Sequence, residues 1–176
     1  MKNKIRQHVL KLMENDSSNP SDLYKKLFVS DFWKNSDVVA TTMSTDFELD
    51  TMPIIKRGLA EHKTIAIPKT FTNRKMKFYQ FQAVNQLVRS RFGILEPAEN
   101  QIPIEKKQID LIVVPGVAFS SSNHQRIGYG GGFYDCYLQD YVGITVSLVR
   151  KIQLVDFNWP IEETDIAVQH LLIEEG

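Results

Sequence analysis

The sequence contains 176 residues, of which 43% are hydrophobic and 24% are charged, and its formal net charge at pH 7 is zero. These values predict a single domain over residues 1–176 and argue against a nucleic-acid partner, since such partners select strongly basic chains. No stretch approaches the ~20 apolar residues of a membrane span, the first residues lack a signal-peptide core, and the single Cys136 excludes an internal disulfide, so a cytoplasmic location is expected.

The first half of the chain alternates between helical and β-strand patterns. Apolar residues spaced three or four apart predict a helix from Lys4 to Glu14, and a second helix begins near Ser21. Runs of β-branched and apolar residues predict strands at residues 38–42 and 64–68. Between them, residues 51–62 predict a helix with a proline in its first turn. The order strand, helix, strand is typical of a parallel β-sheet.

The second half continues this alternation on either side of a glycine-rich stretch. Before that stretch, we predict a strand at residues 76–81, a short helix at residues 83–91 and a loop at residues 93–108. After it, residues 143–149 predict a strand and residues 166–172 predict a last one. The alternation predicts an α/β fold, specifically a three-layer α/β/α sandwich with a mostly parallel central sheet.

Charge is unevenly distributed along the chain although the total is zero. Residues 56–91 include nine Lys or Arg and one acid, Glu61. Such a stretch could face a polyanionic small ligand, but solvated helix and strand faces are the commoner explanation. The basic stretch therefore identifies no partner by itself.

The strongest signal lies between Asp110 and Leu138. A buried strand of four apolar residues is followed by a proline, a polar loop that contains Arg126, a glycine run and a helix that begins at Phe133. The glycines of this run are Gly128, Gly130, Gly131 and Gly132. Without Cβ atoms, glycines can adopt positive φ and bring backbone N–H groups close to an anion, which a helix N-terminus also attracts. The order strand, glycine loop and helix therefore predicts a phosphate cradle.

Three charged residues near this loop are candidates for chemistry. The guanidinium of Arg126 could hold phosphate oxygens, and the alternative is an ordinary surface arginine. Asp135, at the start of the helix, either caps free N–H groups or ligates Mg²⁺, a hard ion that prefers oxygen ligands. Asp165 precedes the last apolar run and, by itself, is a loop carboxylate.

Other candidate residues lie outside the glycine run. Lys2 and Arg6 are four residues apart, so they share one face of the first helix, and on their own they are a solvated pair. Glu48 either belongs to a helix cap or accepts hydrogen bonds from the N–H groups of a ligand. Cys136 has no histidine or second cysteine near it in the sequence, which argues against a nucleophile or a metal site. The G-K-S/T ending of a Walker loop is absent, and no GxGxxG pattern stands in the usual place for a dinucleotide.

The glycine stretch resembles the signature of a known family. PGVAFSSSNHQRIGYGGGFYDCYL is similar to the pattern PGxAFxxxxxRxGxGxGYYDxxL of the 5-formyltetrahydrofolate cyclo-ligases, also called 5,10-methenyltetrahydrofolate synthetases. Shorter pieces agree in order along nearly the whole chain: Lys2 with Arg6, Glu48 with Thr51, Pro68 with Lys69, GILEP at 93–97, Gln153, and WPIEETD ending at Asp165. The resemblance implies a ligase of folate one-carbon metabolism that uses ATP and Mg²⁺ to cyclise 5-formyltetrahydrofolate to 5,10-methenyltetrahydrofolate, releasing ADP and phosphate. In the implied route, the formyl oxygen is phosphorylated and the N-10 nitrogen then attacks the formyl carbon.

The resemblance also implies a role for each matching residue. Arg126 and Tyr134 are implied as catalytic residues, and Asp135 and Asp165 as the ligands of Mg²⁺. The implied ATP contacts are Lys2, Arg6, Arg126, Gly128, Tyr129, Gly130, Gly131, Gly132, Phe133 and Tyr134. The implied folate contacts are Arg6, Met43, Glu48, Tyr129, Gly130, Gly131, Gly132 and Phe133. Members of the family usually have Tyr at the position of Phe133, and some have Lys at that of Gly131.

Two other kinds of function stay open at this point. A sugar-phosphate isomerase or an acyl-CoA transferase of similar architecture would need a catalytic carboxylate but no ATP, because a fold does not fix a function. A non-catalytic folate- or nucleotide-binding protein would bind its ligands without turnover. The implied partners are the small molecules 5-formyltetrahydrofolate and ATP, and a monomer is expected, with a dimer as the alternative.

Overall fold

A seven-stranded β-sheet forms the centre of the computed structural model, which describes residues 1–18, 20–90, 93–98, 101–156 and 159–175, and residue 85 by its backbone alone. The strands are β1 (Val38–Ala40), β2 (Thr64–Thr70), β3 (Met76–Gln80), β4 (Leu87–Arg89), β5 (Leu95–Pro97), β6 (Pro103–Ile104), β7 (Leu111–Val113), β8 (Ala118–Phe119), β9 (Arg126–Ile127), β10 (Ile144–Val149) and β11 (His170–Ile173). The central sheet has the order β11-β10-β7-β1-β2-β3-β6. Its strands are parallel from β11 to β2, whereas β3 and β6 are antiparallel to their neighbours. The prediction of a mostly parallel central sheet is therefore confirmed.

Helices cover both faces of this sheet. They are α1 (Lys2–Glu14), α2 (Ser21–Val29), α3 (Asp31–Lys34), α4 (Met52–Ala60) and α5 (Phe133–Leu138). Successive residues of a strand point to opposite faces. Accordingly, Val39 belongs to the apolar cluster with Trp33 of α3 and Ile54 of α4, whereas Ala40 belongs to the cluster on the other face with Tyr137 of α5. This arrangement is the predicted α/β/α sandwich.

The first helix packs outside the two main faces. Ile5, Val9 and Met13 form its buried stripe and share an apolar cluster with Ala118 of β8 and Ile127 of β9. Strands β8 and β9 pair with each other as a separate antiparallel ladder. The helix therefore lies against the β-ladder that leads into the glycine run. Within the described ranges, no helix has both the length and the apolar character needed to cross a membrane.

The carboxyl ends of the parallel strands determine where the loops meet. Residues 41–51 follow β1, residues 71–75 follow β2, residues 114–117 follow β7 and lead into the β8–β9 ladder, and Arg150 follows β10. Because parallel strands end at the same edge of a sheet, these segments gather at one edge. Ligands of open α/β sheets bind at this edge.

Several local predictions are wrong. The predicted helix at residues 83–91 is a 3₁₀ turn, Val84–Gln86, followed by β4, and its last residue lies outside the described part of the chain. The predicted loop at residues 93–108 contains β5, β6 and a second 3₁₀ turn, Lys106–Gln108, with residues 99–100 not described. The last strand begins at His170 rather than at residue 166. The first two errors share a cause, since β4 and β5 stabilise each other by cross-strand pairing that neither segment reveals alone. The other predicted elements are present with small differences at their ends.

Candidate active site

The glycine loop between β9 and α5 requires glycine at specific positions. Gly130 and Gly132 have φ angles of 102° and 68°, a region that residues with a Cβ atom rarely adopt. A Cβ atom at Gly131 would lie 2.8 Å from Cδ2 of Phe133, so the aromatic ring occupies the space that a larger residue would need. Helix α5 has only six residues, so the loop itself, rather than a long helix dipole, is the feature suited to an anion.

Because α1 packs on the ladder that precedes this loop, Arg6 lies at the loop, and Lys2 of the same helix reaches the segment that carries Asp165. The Nε atom of Arg6 donates a hydrogen bond of 2.7 Å to the carbonyl oxygen of Gly128. The ammonium group of Lys2 donates to the carboxylate of Asp165 and, at 3.1 Å, to that of Glu162. Burial lowers the pKa of Lys2, but the hydrogen bonds and charges of these two acids outweigh that effect and raise it. The two cations are therefore not a solvated pair on a free helix face.

Arg126 lies in β9 and not in a loop, which corrects the sequence-based placement. Only 5% of the residue is exposed, so the alternative of a surface arginine is wrong. Its Nη2 atom donates to Oδ1 of Asp135 at 2.9 Å, and its Cζ atom lies 5.8 Å from the centre of the Tyr134 ring. Burial lowers the pKa of Arg126 and the charge of Asp135 opposes that effect. Its Nε atom is buried and has no hydrogen-bond partner among the described residues.

Two carboxylates accompany these cations. Oδ1 of Asp135 also accepts a hydrogen bond of 3.3 Å from the backbone N–H of Ile166, which places it beside the segment that carries Asp165. Asp165 accepts from Lys2 and, at 2.7 Å, from the backbone N–H of Glu162. In the described part of the chain, no three or more His, Cys, Asp or Glu side chains form a group that could hold a metal ion. A cation at this pair would therefore need further oxygen ligands, such as phosphate and water, which is the usual environment of Mg²⁺.

The hydroxyl group of Tyr134 is enclosed near Arg126. Its oxygen is buried, and the described residues offer it no hydrogen-bond partner. Burial raises the pKa of Tyr134, and the positive charge of Arg126 opposes the rise without cancelling it. The phenol is therefore protonated at neutral pH, so it is suited to donate a hydrogen bond rather than to act as a base.

A cavity of about 520 Å³ lies beside residues 46–50, within the size range of small-molecule sites. Glu48 lines this cavity and also a smaller crevice of about 40 Å³. Its Oε2 atom accepts hydrogen bonds from the backbone N–H and the hydroxyl of Thr45, at 2.7 and 2.9 Å. Met43 is buried in the apolar core with Ile54 and is not among the residues that line either space.

Tyr129 joins the glycine loop to this cavity. The residue is 46% exposed, and its phenol lies near enough to Glu48 to feel the charge of that carboxylate. Burial and the negative charge of Glu48 both raise the pKa of Tyr129. The structure thus brings together the predicted residues of the phosphate loop and the predicted pterin-binding acid.

Three residues at the site were not predicted individually. In the turn between β2 and β3, Arg74 places Nε and Cζ 3.5 Å from the position that a Cβ atom of Gly132 would occupy. The basic stretch at residues 56–91 contained Arg74, but its position could not be read from composition. Asp16 and Arg150 form an ion pair at 3.1 Å beside the cavity. These two residues are 134 positions apart, so no local pattern connects them.

The fold and this edge of the sheet define the class of the protein. Cations, carboxylates and a glycine loop that meet at the carboxyl ends of parallel strands are typical of α/β enzymes that act on phosphorylated or nucleotide substrates. Residues 2–174 match the model of the 5-formyltetrahydrofolate cyclo-ligase family, and the chain belongs to that family.

Individual relatives agree with this assignment. The chain is 35% identical over 136 residues to the 5-formyltetrahydrofolate cyclo-ligase of Escherichia coli, a match that covers 73% of this chain and 72% of that protein. It is 26% identical over 167 residues to the enzyme of the same name from Mus musculus, covering 88% and 81% of the two chains. Among solved structures, the 5,10-methenyltetrahydrofolate synthetase of Aquifex aeolicus superposes with a TM-score of 0.83 at 27% identity, covering 99% of this chain and 90% of that one. The synthetase of Mycoplasma pneumoniae superposes with a TM-score of 0.75 at 18% identity, which is a likeness of fold.

Proposed function

We propose that this protein catalyses the ATP- and Mg²⁺-dependent cyclisation of 5-formyltetrahydrofolate to 5,10-methenyltetrahydrofolate, with release of ADP and phosphate. Its membership of the cyclo-ligase family supports the overall reaction. The observation that carries the proposal for the site is the closeness of Tyr129 in the glycine loop to Glu48 in the cavity wall, because it sets the glycine loop beside the cavity. A phosphoryl donor and a folate need to lie side by side in this way.

On the phosphate side, the proposal assigns the cations to the polyphosphate of ATP. Arg6 and Arg126 lie at the glycine loop, and Lys2 and Arg126 are paired with Asp165 and Asp135. When ATP binds, these two cations would exchange a carboxylate partner for phosphate oxygens. Guanidinium and ammonium groups suit this role because they neutralise the charge of the transferred phosphoryl group.

The same exchange would free the two carboxylates for Mg²⁺. Asp135 and Asp165 are oxygen donors held next to each other through Ile166, so the residues present fit a hard cation that also needs phosphate and water ligands. When bound, Mg²⁺ would supply charge neutralisation on the phosphates. The contribution of the protein is to hold the two carboxylates at the edge of the glycine loop.

On the folate side, the proposal places the pterin in the cavity beside Glu48. The charged residues that line this cavity, besides Glu48, are Glu14, Asp16, Asp46, Asp50 and Arg150. An acidic wall favours the pterin, whose amino and ring N–H groups are donors, over the anionic glutamate tail. The hydrogen bonds from Thr45 keep the carboxylate of Glu48 in place for this contact.

The proposed reaction consists of two displacement steps. The formyl oxygen of the substrate attacks the γ-phosphorus of ATP, the bond to the bridging oxygen breaks, and ADP leaves. The N-10 nitrogen then attacks the activated formyl carbon and loses its proton, and phosphate departs with the formyl oxygen. A formamide is a poor electrophile until its oxygen becomes a leaving group, so the protein mainly positions the reactants and neutralises charge. Arg126 would stabilise the transferring phosphoryl group, and the protonated hydroxyl of Tyr134 would donate a hydrogen bond within the same enclosed site.

A spectrophotometric assay of the purified protein tests the proposal. The reaction contains 5-formyltetrahydrofolate and Mg²⁺, with or without ATP, and the absorbance of the methenyl product is recorded together with the release of ADP. Product that forms only with ATP, with one ADP for each methenyl group, is the expected result. Binding of both ligands without turnover would instead indicate a non-catalytic binding protein, and turnover of a sugar phosphate or an acyl-CoA without ATP would indicate the isomerase or transferase alternative.

A further inference from the structure

A buried ion pair on the cavity side ties three distant segments together. The side chain of Arg150, directly after β10, is 7% exposed, and that of Asp16, two residues beyond α1, is 12% exposed. Nη1 of Arg150 donates to Oδ2 of Asp16 at 3.1 Å, and Nη2 donates to the carbonyl oxygen of Phe47 at 2.7 Å. One guanidinium thus joins the end of β10, the end of α1 and the segment that carries Glu48.

Other hydrogen bonds hold both partners of this ion pair in place. Asp16 accepts from the backbone N–H and the hydroxyl of Ser18, at 3.0 and 2.7 Å. The backbone N–H of Arg150 donates to Oε1 of Gln153 at 3.0 Å, and the side-chain amide of Gln153 donates to the carbonyl oxygen of Gly116 at 2.8 Å. The backbone of Arg150 and the carboxylate of Asp16 are therefore both held in place, whereas the side chains of a surface ion pair are free to move.

The segment that Arg150 contacts has few bonds of its own. Residues 46–50 belong to no helix or strand, and a backbone bond of 3.1 Å from the N–H of Glu48 to the carbonyl of Thr45 closes a turn at the start of the segment. Its outer attachments include the bond from Arg150 to Phe47 and a bond of 2.6 Å from the Tyr24 hydroxyl to the carbonyl of Asp50. Thr45 orients the carboxylate of Glu48 locally, whereas the backbone that carries it also depends on side chains that reach the segment from other elements.

We propose that Arg150, held by Asp16, is a positioning residue that sets the Phe47–Glu48 backbone and thereby the wall of the folate cavity. This inference rests on the proposed function, since it assumes that the folate binds beside Glu48. Arg150, Asp16, Phe47 and Glu48 all line the same cavity. Removing the guanidinium would release the carbonyl of Phe47 and leave the partly buried carboxylate of Asp16 without its counter-ion. The glycine loop and the cations beside it are held by different hydrogen bonds, so their geometry would not change.

Steady-state kinetics of Arg150→Gln, Arg150→Lys and Asp16→Asn test this inference. We expect the KM for 5-formyltetrahydrofolate to rise about tenfold in Arg150→Gln, as for the loss of a charged hydrogen bond, while the KM for ATP changes by less than about twofold. Arg150→Lys keeps the charge but cannot donate to both partners, so its KM should be intermediate. Lys151→Ala is the matched control, because this neighbouring side chain is exposed and its backbone N–H makes the bond to Glu174. A direct titration of the folate in the absence of ATP should give the same order of affinities.

Three results would overturn the inference. They are an unchanged KM for the folate in folded Arg150→Gln, equal increases in the KM values of both substrates, and an increase in Lys151→Ala as large as in Arg150→Gln. If Arg150→Gln does not fold in a thermal melt, Asp16→Asn and Arg150→Lys decide the question by the same two KM values. Failure of the proposed function would look different, because the unsubstituted protein would then form no methenyl product.

Discussion

Replacing Arg126 with alanine removes the buried guanidinium at the centre of the proposed phosphoryl-transfer site. The change deletes the 2.9 Å bond to Asp135 and the cation beside the Tyr134 ring. If Arg126 neutralises charge on the transferred phosphoryl group, kcat should fall on the order of 10²–10³-fold, the usual loss for one preorganised donor. Arg126→Lys retains a charge without the planar fork, so a loss of about tenfold is expected.

The stability of the Arg126→Ala variant should change much less than its activity. A hydrogen bond to a charged group contributes about 1.5–3 kcal/mol. The lower end applies here, because Asp135 is 25% exposed and retains the backbone N–H of Ile166 as a donor, while the buried Nε atom has no hydrogen-bond partner among the described residues. A loss of about 1.5 kcal/mol in a protein of this size lowers Tm by about 3–6 °C.

The assay for Arg126→Ala combines methenyl absorbance at saturating folate and ATP with a thermal melt of the same sample. Arg57→Ala is the matched control, because Arg57 is an exposed arginine of α4 whose ion pair is with Glu61, the residue that follows the same helix. That variant should keep its kcat. If folded Arg126→Ala retains kcat within about threefold of the unsubstituted protein, Arg126 does not stabilise the transition state.

Three further substitutions test neighbouring features. Asp135→Asn keeps an acceptor for Arg126 but loses the charge, so the Mg²⁺ concentration for half-maximal rate should rise about tenfold; an unchanged Mg²⁺ titration would leave Asp135 only as the structural partner of Arg126 and Ile166. Arg74→Ala removes a cation that lies against Gly132 and should raise the KM for ATP about threefold at low salt, whereas Lys75→Ala, an exposed neighbour, should not; equal effects of the two would point to net charge alone. Cys136→Ser changes an exposed thiol, so kcat and Tm should be unaltered, and loss of activity would contradict its placement outside the chemistry.

Hydrophobic patterns predicted the sheet and its covering helices because those signals are local. The apolar runs of β2 and β10 and the buried stripe of α1 each lie within one segment, where composition and period can be read directly. The pattern failed at β4, since the run Leu87–Arg89 becomes a strand through its pairing with Leu95–Pro97. It failed in the same way at β9, whose two residues, including Arg126, pair with β8 across the polar turn.

Candidate-site residues could be predicted where the chain places them close together in sequence. Arg126 and Asp135 are nine positions apart and flank one loop, so strand, loop and helix order was sufficient to bring them together. The contact between Tyr129 and Glu48 and the ion pair between Asp16 and Arg150 depend on the order of the parallel strands. That order follows from the packing of the whole chain, which a single sequence without pairing information does not specify.

The ion pair between Lys2 and Asp165 has a consequence for the order in which the protein folds. These residues are 163 positions apart, whereas Arg126 and Asp135 can meet as soon as their own loop and helix have formed. Contacts of such long sequence separation are slow to form, because a large loop must close before they contribute stability. During synthesis, Lys2 of the first helix therefore cannot pair with Asp165 until nearly the whole chain has been made. We expect a partly synthesised or C-terminally frayed chain to contain an ordered glycine loop but to lack the contact between Lys2 and Asp165 in the proposed ATP site.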